Sequence, residues 1–199
     1  MNKENKYIWI SLLFVFIQAL VTVRNFQETF QNFFWFCDFA SILLAFGFYF
    51  KNVQFVKAVI HIGLIPQVLF ILGLLVGSFT GIKIIATVSL SGYGLLYGSI
   101  SILIHAATLL ALYFTLKEKP ETRSLLYSVY ILTGMYLITI LFTPSQDEFN
   151  YVFSHTSLID IHIPFYLQLW IPIVFIVVVL PTYLLEKAIF TLNKKILRN

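Results

Sequence analysis

The sequence predicts an all-α fold: a polytopic membrane protein, a single six-helix transmembrane bundle over residues 1–199 with both termini in the cytoplasm. Three observations carry this. The chain is 59% hydrophobic and 11% charged over 199 residues, so six apolar stretches of about 20 residues, the length that crosses a ~30 Å hydrocarbon core, leave no room for a soluble domain. Short polar connections separate those stretches. Of the 13 Lys and Arg residues, all but Arg24 and Lys83 fall on the face that holds the two termini. Cationic loops resist translocation, which orients that face inward and makes the chain a multi-pass protein of the cell membrane.

The net charge of +4 does not point to nucleic acid, because the cations flank the spans instead of forming one basic surface. Anionic inner-leaflet lipid is the expected partner, with a second copy or a partner membrane protein left open. One cysteine, Cys37, excludes an internal disulfide and any multi-cysteine metal or iron–sulfur site. Lys3 and Lys6 precede the first apolar stretch as in a signal peptide, but that stretch runs into Arg24 without a small-residue cleavage pattern and reads as a retained helix.

Taken in order, helix one covers Tyr7 to Val23, with Tyr7 and Trp9 suited to an interface and Arg24 closing the outer end. Helix two, Phe33 to Phe50, descends from an aromatic cluster (Phe33, Phe34, Trp35, Phe36) and carries Cys37, Asp38 and Ser41 in its outer half. Helix three, Val56 to Phe79, contains His61, Pro66 and Gln67. Its Gly73 and Gly77, with Gly81 one spacing on, read as a packing seam. Residues Thr80 to Gly94 suit an interfacial or re-entrant segment. Helix four, Leu95 to Leu116, sets Ser101, His105, Thr108 and Leu112 on one stripe of a 3.6-residue period, and a polar stripe in lipid faces other helices or a wet cavity. Lys117 to Ser124 is a hinge interrupted by Pro120, and helix five covers Leu125 to Phe142. The outer loop Thr143 to His162 lacks Lys and Arg and holds Asp147, Glu148, Asn150, His155, Asp160 and His162. Helix six, Ile163 to Leu185, contains Pro164, Pro172 and Pro181, and Pro172 should kink it.

No Walker loop, Rossmann glycine pattern, HExxH or GxSxG occurs, so nucleotide-binding and common hydrolase classes lack motif support and no cofactor is expected. His155, Asp160 and His162 match no strong zinc or calcium spacing and read as solvated loop residues; no metal is expected. The chemistry must come from polar groups within the membrane. Asp38, the one carboxylate placed well inside a span, costs about 2.5–3.5 kcal/mol at a helix centre and less near the interface, and so needs a partner or a task. An ion pair with Arg24 or Lys83, or a water-exposed position near the outer interface, is the structural alternative. Alone, Cys37 reads as a small packing hydrophobe, and His105 and His61 as helix-packing histidines. As a pair, Cys37 and His105 could work chemically: an imidazole can take the proton of a thiol and stabilise the thiolate. By chain count Cys37 lies ~6 Å and His105 ~15 Å below the outer ends of their helices at 1.5 Å per residue, a gap that tilt could close. Asp38 projects about 100° from Cys37 and could orient the imidazole.

The run Phe36-Cys37-Asp38-Phe39, the helix ending Lys51-Asn52, Gly63 to Gln67, Ile104-His105 through Ala111-Leu112-Tyr113, Pro120 and Ser124, Asn150-Tyr151-Val152-Phe153 and Ile163-Pro164-Phe165-Tyr166 follow one another in an order that resembles the YwaF-type integral membrane proteins. That group is related to eukaryotic transmembrane protein 164, regarded as a cysteine-centred lipid acyltransferase. The resemblance spans about residues 33 to 185. It implies Cys37 as acyl-accepting nucleophile and His105 as its base. Trp35 stands where bacterial members often have His.

The expected function is therefore a membrane-embedded lipid acyltransferase or acyl hydrolase using Cys37 and His105 near the outer leaflet. Asp38 would orient the base, and Ser101, Thr108, Asn150 and Tyr151 would line the substrate cavity. The alternatives are a non-catalytic small-molecule-binding transport component and a helical membrane scaffold.

Overall fold

The computed structural model describes residues 3–27, 30–80, 95–144, 149–152 and 164–196. Eight α-helices follow in order: α1 (Lys3–Gln27), α2 (Phe36–Tyr49), α3 (Val53–Thr80), α4 (Leu95–His105), α5 (Ala107–Thr115), α6 (Thr122–Phe142), α7 (Tyr166–Val174) and α8 (Leu180–Ile196). Short 3-10 turns at Phe30–Phe34 and Phe149–Tyr151 lead into the bundle interior, and a π turn at Phe175–Val179 joins α7 to α8. Among the described residues there is no strand.

Among the described residues, five stretches are long and apolar enough to cross a bilayer: Asn5–Gln27, Val53–Val76, Gly98–Thr115, Thr122–Phe142 and Tyr166–Lys194. The second expected span is shorter than foreseen. Its first residues form the 3-10 turn, and the 14 residues of α2 rise only about 21 Å at 1.5 Å each. The outward faces are dressed for lipid. Trp9, Phe16, Phe26, Tyr113, Leu141, Phe142 and Val177 are exposed, while Asp38, Lys57, His61, Gln67 and Glu186 are buried. That is the reverse of a water-soluble surface.

Local sequence explains the joints. α2 closes with the amide of Asn52 on the Gly47 carbonyl at 2.8 Å and that of Lys51 on Phe48 at 3.0 Å. Lys51 itself takes a left-handed conformation, φ 54°, which is the Schellman way of satisfying the last carbonyls of a helix. Asn52 then caps α3: its Oδ1 accepts the amide of Phe55 at 3.1 Å, filling one of the open donors of a helix start. At the same end Gln54 clamps the connection between α5 and α6, donating to the Lys119 carbonyl at 3.0 Å and accepting from the Glu121 amide at 2.9 Å.

The expected fourth helix breaks into α4 and α5 at Ala106. Gln67 is the partner at that break, for its Oε1 accepts both the Thr108 amide at 3.3 Å and the Thr108 hydroxyl at 2.7 Å. A side chain taking ladder groups is a recognised cause of a helix kink. In the last span, α7 contains Pro172. The π turn lies beneath Pro181, whose ring lacks the N–H for the Val177 carbonyl and crowds it.

The core runs along α1, α2 and α3. Phe14 stacks on Phe48 at 5.5 Å with a 4° interplanar angle, and Phe48 meets Phe114 edge-on. Gly63 lets three elements meet: a Cβ there would lie 2.7 Å from both Phe36 Cε1 and Thr108 Cγ2. Replacing Gly63 with Ala should cost about 1–3 kcal/mol by overpacking. Gly134→Ala, with nothing within 4 Å of its added carbon, should be neutral or stabilising by up to ~1 kcal/mol through helix propensity. Thermal unfolding of the two variants in detergent checks this, and equal shifts would contradict the Gly63 packing.

Candidate functional site

At one end of the bundle the antiparallel pair α1 and α2 brings Arg24 and Asp38 together. Arg24 Nη2 lies 2.6 Å from Asp38 Oδ2, and Asn25 Nδ2 donates to the same oxygen at 3.0 Å. Arg24 in turn donates through Nε and Nη2 to Asn25 Oδ1 at 3.1 and 2.9 Å. All three residues are buried. The carboxylate oxygen left over, Oδ1, accepts a long hydrogen bond from the Cys37 thiol at 3.6 Å, and Cys37 is half-buried. Gln18, on α1, binds the α2 backbone across the same turn, with Nε2 on the Asp38 carbonyl at 3.0 Å and Oε1 on the Ile42 amide at 3.1 Å. Asp38 thus takes Arg24 as its counter-ion, one of the two partners the sequence offered.

His105 ends α4. Its Nδ1 lies 2.7 Å from the Ser101 carbonyl, and a carbonyl only accepts, so Nδ1 carries the hydrogen and Nε2 of the neutral ring keeps its lone pair. The ring lies flat on Phe70, centroids 3.6 Å apart and 9° from parallel. Cys37 and His105 share no hydrogen bond, and Asp38 does not reach the imidazole: its carboxylate is given to Arg24, Asn25 and Cys37. The convergence of Phe36 and Thr108 over Gly63 sets the first turn of α2 level with the start of α5.

The other expected cavity residues divide. Thr108 is fully buried and bound to Gln67. Ser101 is half-buried, and its carbonyl holds His105. Asn150 is a structural clasp. Its Oδ1 accepts the Phe36 amide at 2.8 Å, its Nδ2 donates to the Phe34 carbonyl at 2.7 Å and Thr139 Oγ1 at 3.2 Å, and its carbonyl accepts from Trp170 Nε1 at 3.2 Å. Those bonds use both Nδ2 hydrogens and one of the two lone pairs of Oδ1. Tyr151 packs edge-on to Trp35 at 5.7 Å and accepts at its carbonyl from the Tyr166 hydroxyl at 2.8 Å. Gly81, Lys83, Asp147, Glu148, His155, Asp160 and His162 lie outside the described residues.

A second buried cluster occupies the opposite end. Lys57 Nζ donates to Glu186 Oε1 and to the Thr115 carbonyl at 3.3 Å, and His61 Nε2 lies 2.7 Å from Glu186 Oε2. Sequence reasoning missed it, counting Lys57 with the cations of the cytoplasmic face and ending helix six one residue short of Glu186. A signal was present: Lys57 and His61 are four apart, as are Thr182 and Glu186, which puts each pair on one helical face. A cleft of about 480 Å³ beside Lys6, Tyr7, Tyr113 and Lys117 also lies at this end.

No protein-family model, curated protein or solved structure matches the chain. The reading therefore rests on the geometry above.

Arg24→Ala should cost about 3–5 kcal/mol, because it leaves the Asp38 carboxylate buried without its counter-ion. The double replacement Arg24→Ala with Asp38→Ala should lose less than Arg24→Ala alone. Asn150→Ala should cost about 1–3 kcal/mol by orphaning the Phe36 amide and Phe34 carbonyl. Unfolding in detergent measures all three; a double variant weaker than Arg24→Ala would refute the pairing argument.

Proposed function

We propose that the protein is a multi-pass membrane enzyme of the YwaF type, inserted with both termini in the cytoplasm, that moves an acyl group from a lipid ester through Cys37. The observation that carries the reading is the thiol itself. It is half-buried on the first turn of an intramembrane helix, with its hydrogen directed to Asp38 and a cation, Arg24, behind that carboxylate. A thiol enclosed beside a carboxylate keeps its hydrogen, so the chemistry needs a base to take it. His105 supports the reading from α4, because its free Nε2 is the atom a general base needs. The role of Asp38 changes from that expected: it positions the thiol, and the Ser101 carbonyl orients the imidazole.

In this scheme the proton of Cys37 passes to His105 Nε2. The thiolate attacks the ester carbonyl, forming the C–S bond and breaking the C–O bond, and the leaving alkoxide takes the proton back. Water or the hydroxyl of a second lipid then attacks the thioester and restores the thiol. The Lys and Arg bias and the exposed aromatic residues support lipid as the partner.

A second reading, a non-catalytic substrate-binding or transport component, is favoured by one observation: ionisable groups are buried at both ends of the bundle, a pattern typical of polar pathways through membranes. Incubation of the purified protein with an activated long-chain acyl ester separates the two. Acyl transfer requires a hydroxylamine-labile adduct that is lost in Cys37→Ala and forms about 10²–10⁴-fold more slowly in His105→Gln, the usual loss on removing a general base. An adduct that persists in Cys37→Ala, or a His105→Gln rate equal to wild type, would refute it, and the absence of any adduct in wild type would favour the non-covalent reading.

A further inference from the structure

The acyl chemistry at Cys37 makes no use of the cleft at the opposite end of the bundle. With a volume of about 480 Å³, in the range of ligand pockets, it lies between the start of α1 and the end of α5, and its walls include Lys6, Tyr7, Tyr113, Phe114, Lys117 and Glu118. Its floor is fixed. The buried Phe48 stacks on Tyr7 at 6.1 Å and meets Phe114 edge-on at 6.4 Å. Lys6 and Lys117 are exposed, and among the described residues neither is paired with a carboxylate. Glu118 accepts a long hydrogen bond from the Tyr7 hydroxyl at 3.5 Å. Two ammonium groups and one carboxylate leave the cleft with an excess positive charge.

We propose that this cleft holds the headgroup of an anionic glycerophospholipid, with the phosphodiester between Lys6 and Lys117. A phosphodiester carries a single negative charge, which cancels the excess. The depth of the two lysines agrees: Lys6 is the second residue of the span Asn5–Gln27, and Lys117 lies two residues past the span Gly98–Thr115. Both ammonium groups therefore sit at headgroup level, where basic pockets between helices take anionic lipid. The wall of the cleft selects a lipid over a free phosphate ion. Leu109 and Tyr113 stand four residues apart on one face of α5 and are 39% and 69% exposed, so an acyl chain continuing from the headgroup meets an apolar strip.

Other lysines stand outside the cleft. Lys57 is enclosed and given to Glu186 and the Thr115 carbonyl. Lys119 and Lys194 are exposed and do not line it. They separate a site from the general pull of a basic surface on an anionic membrane, because that pull counts every exposed lysine and a site counts only those that line it.

The test titrates the full chain, in a neutral detergent, with phosphatidylglycerol, phosphatidylcholine and glycerophosphoglycerol, the last being the same headgroup without chains. Native mass spectrometry counts what is bound. Phosphatidylglycerol should bind in preference to both other probes. Lys6→Gln combined with Lys117→Gln should weaken it about 25-fold, roughly fivefold for each lysine. The charge-matched pair Lys119→Gln with Lys194→Gln should leave it within about twofold, since distant exposed charges are screened. Cys37→Ala should bind as wild type does, which separates this site from the acyl chemistry. Equal losses in the two lysine pairs, no loss in the cleft pair, a loss in Cys37→Ala, or glycerophosphoglycerol binding as tightly as the lipid would each overturn the proposal. A second readout needs no variant: phosphatidylglycerol with a photoactivatable acyl chain should label the α5 segment that holds Leu109 and Tyr113. Label confined to other helices overturns the proposal in the wild-type protein alone.

Discussion

Hydrocarbon offers a polar group nothing to bond with, and every unusual feature of this bundle follows from that deprivation. A chain that buries Arg24, Asp38, Lys57, His61 and Glu186 must find their partners within itself, and it does so by tying helices together in pairs. Arg24 and Asp38 tie α1 to α2. Lys57, His61 and Glu186 tie α3 to α8. Backbone groups obey the same rule: Asn150 satisfies the amide that opens α2, and Gln67 catches the amide beyond the break at Ala106.

This economy also shapes the chemistry proposed for Cys37. A carboxylate held by a guanidinium is a poor proton acceptor but a firm anchor, so Asp38 serves to point the sulfur. The base must come from a group whose lone pair is not already used. His105 fits because its other nitrogen is fixed by the Ser101 carbonyl, the kind of outer partner that selects a tautomer. The proposed chemistry and the stability of the bundle thus draw on different atoms.

Much of the architecture was legible in the sequence. Long apolar runs gave the helical class and the spans now seen at Val53–Val76 and Thr122–Phe142, and Asp38 announced by its cost that it needed a counter-ion. What stayed hidden depended on contacts between residues far apart in the chain. Asn150 looked like a cavity residue because composition cannot reveal that its amide is already bonded on both sides. Lys57 looked like a cation of the cytoplasmic face because hydropathy marks lysine as a boundary, whereas a carboxylate 129 positions away holds it inside. The break after His105 had no signature in its own segment, Ile104 to Ala107, since the group responsible, Gln67, lies on another helix. The second span, at 14 residues, fell short of its apolar run because Phe30–Phe34 turned to bring Asn150 within reach of α2.

The wide turn at Phe175–Val179 decides which way the end of the chain looks. Trp170 faces inward on α7 and Glu186 inward on α8, yet at 100° per residue an unbroken α-helix would set them about 160° apart, on nearly opposite sides. One residue absorbed by a π turn subtracts roughly 100° and brings them to about 60°, within a single inward arc. The turn therefore works as a phase shifter. It lets one rod present an aromatic anchor to Tyr136 and the Asn150 carbonyl and an acid to Lys57 and His61, without any bend in the path of the chain being required.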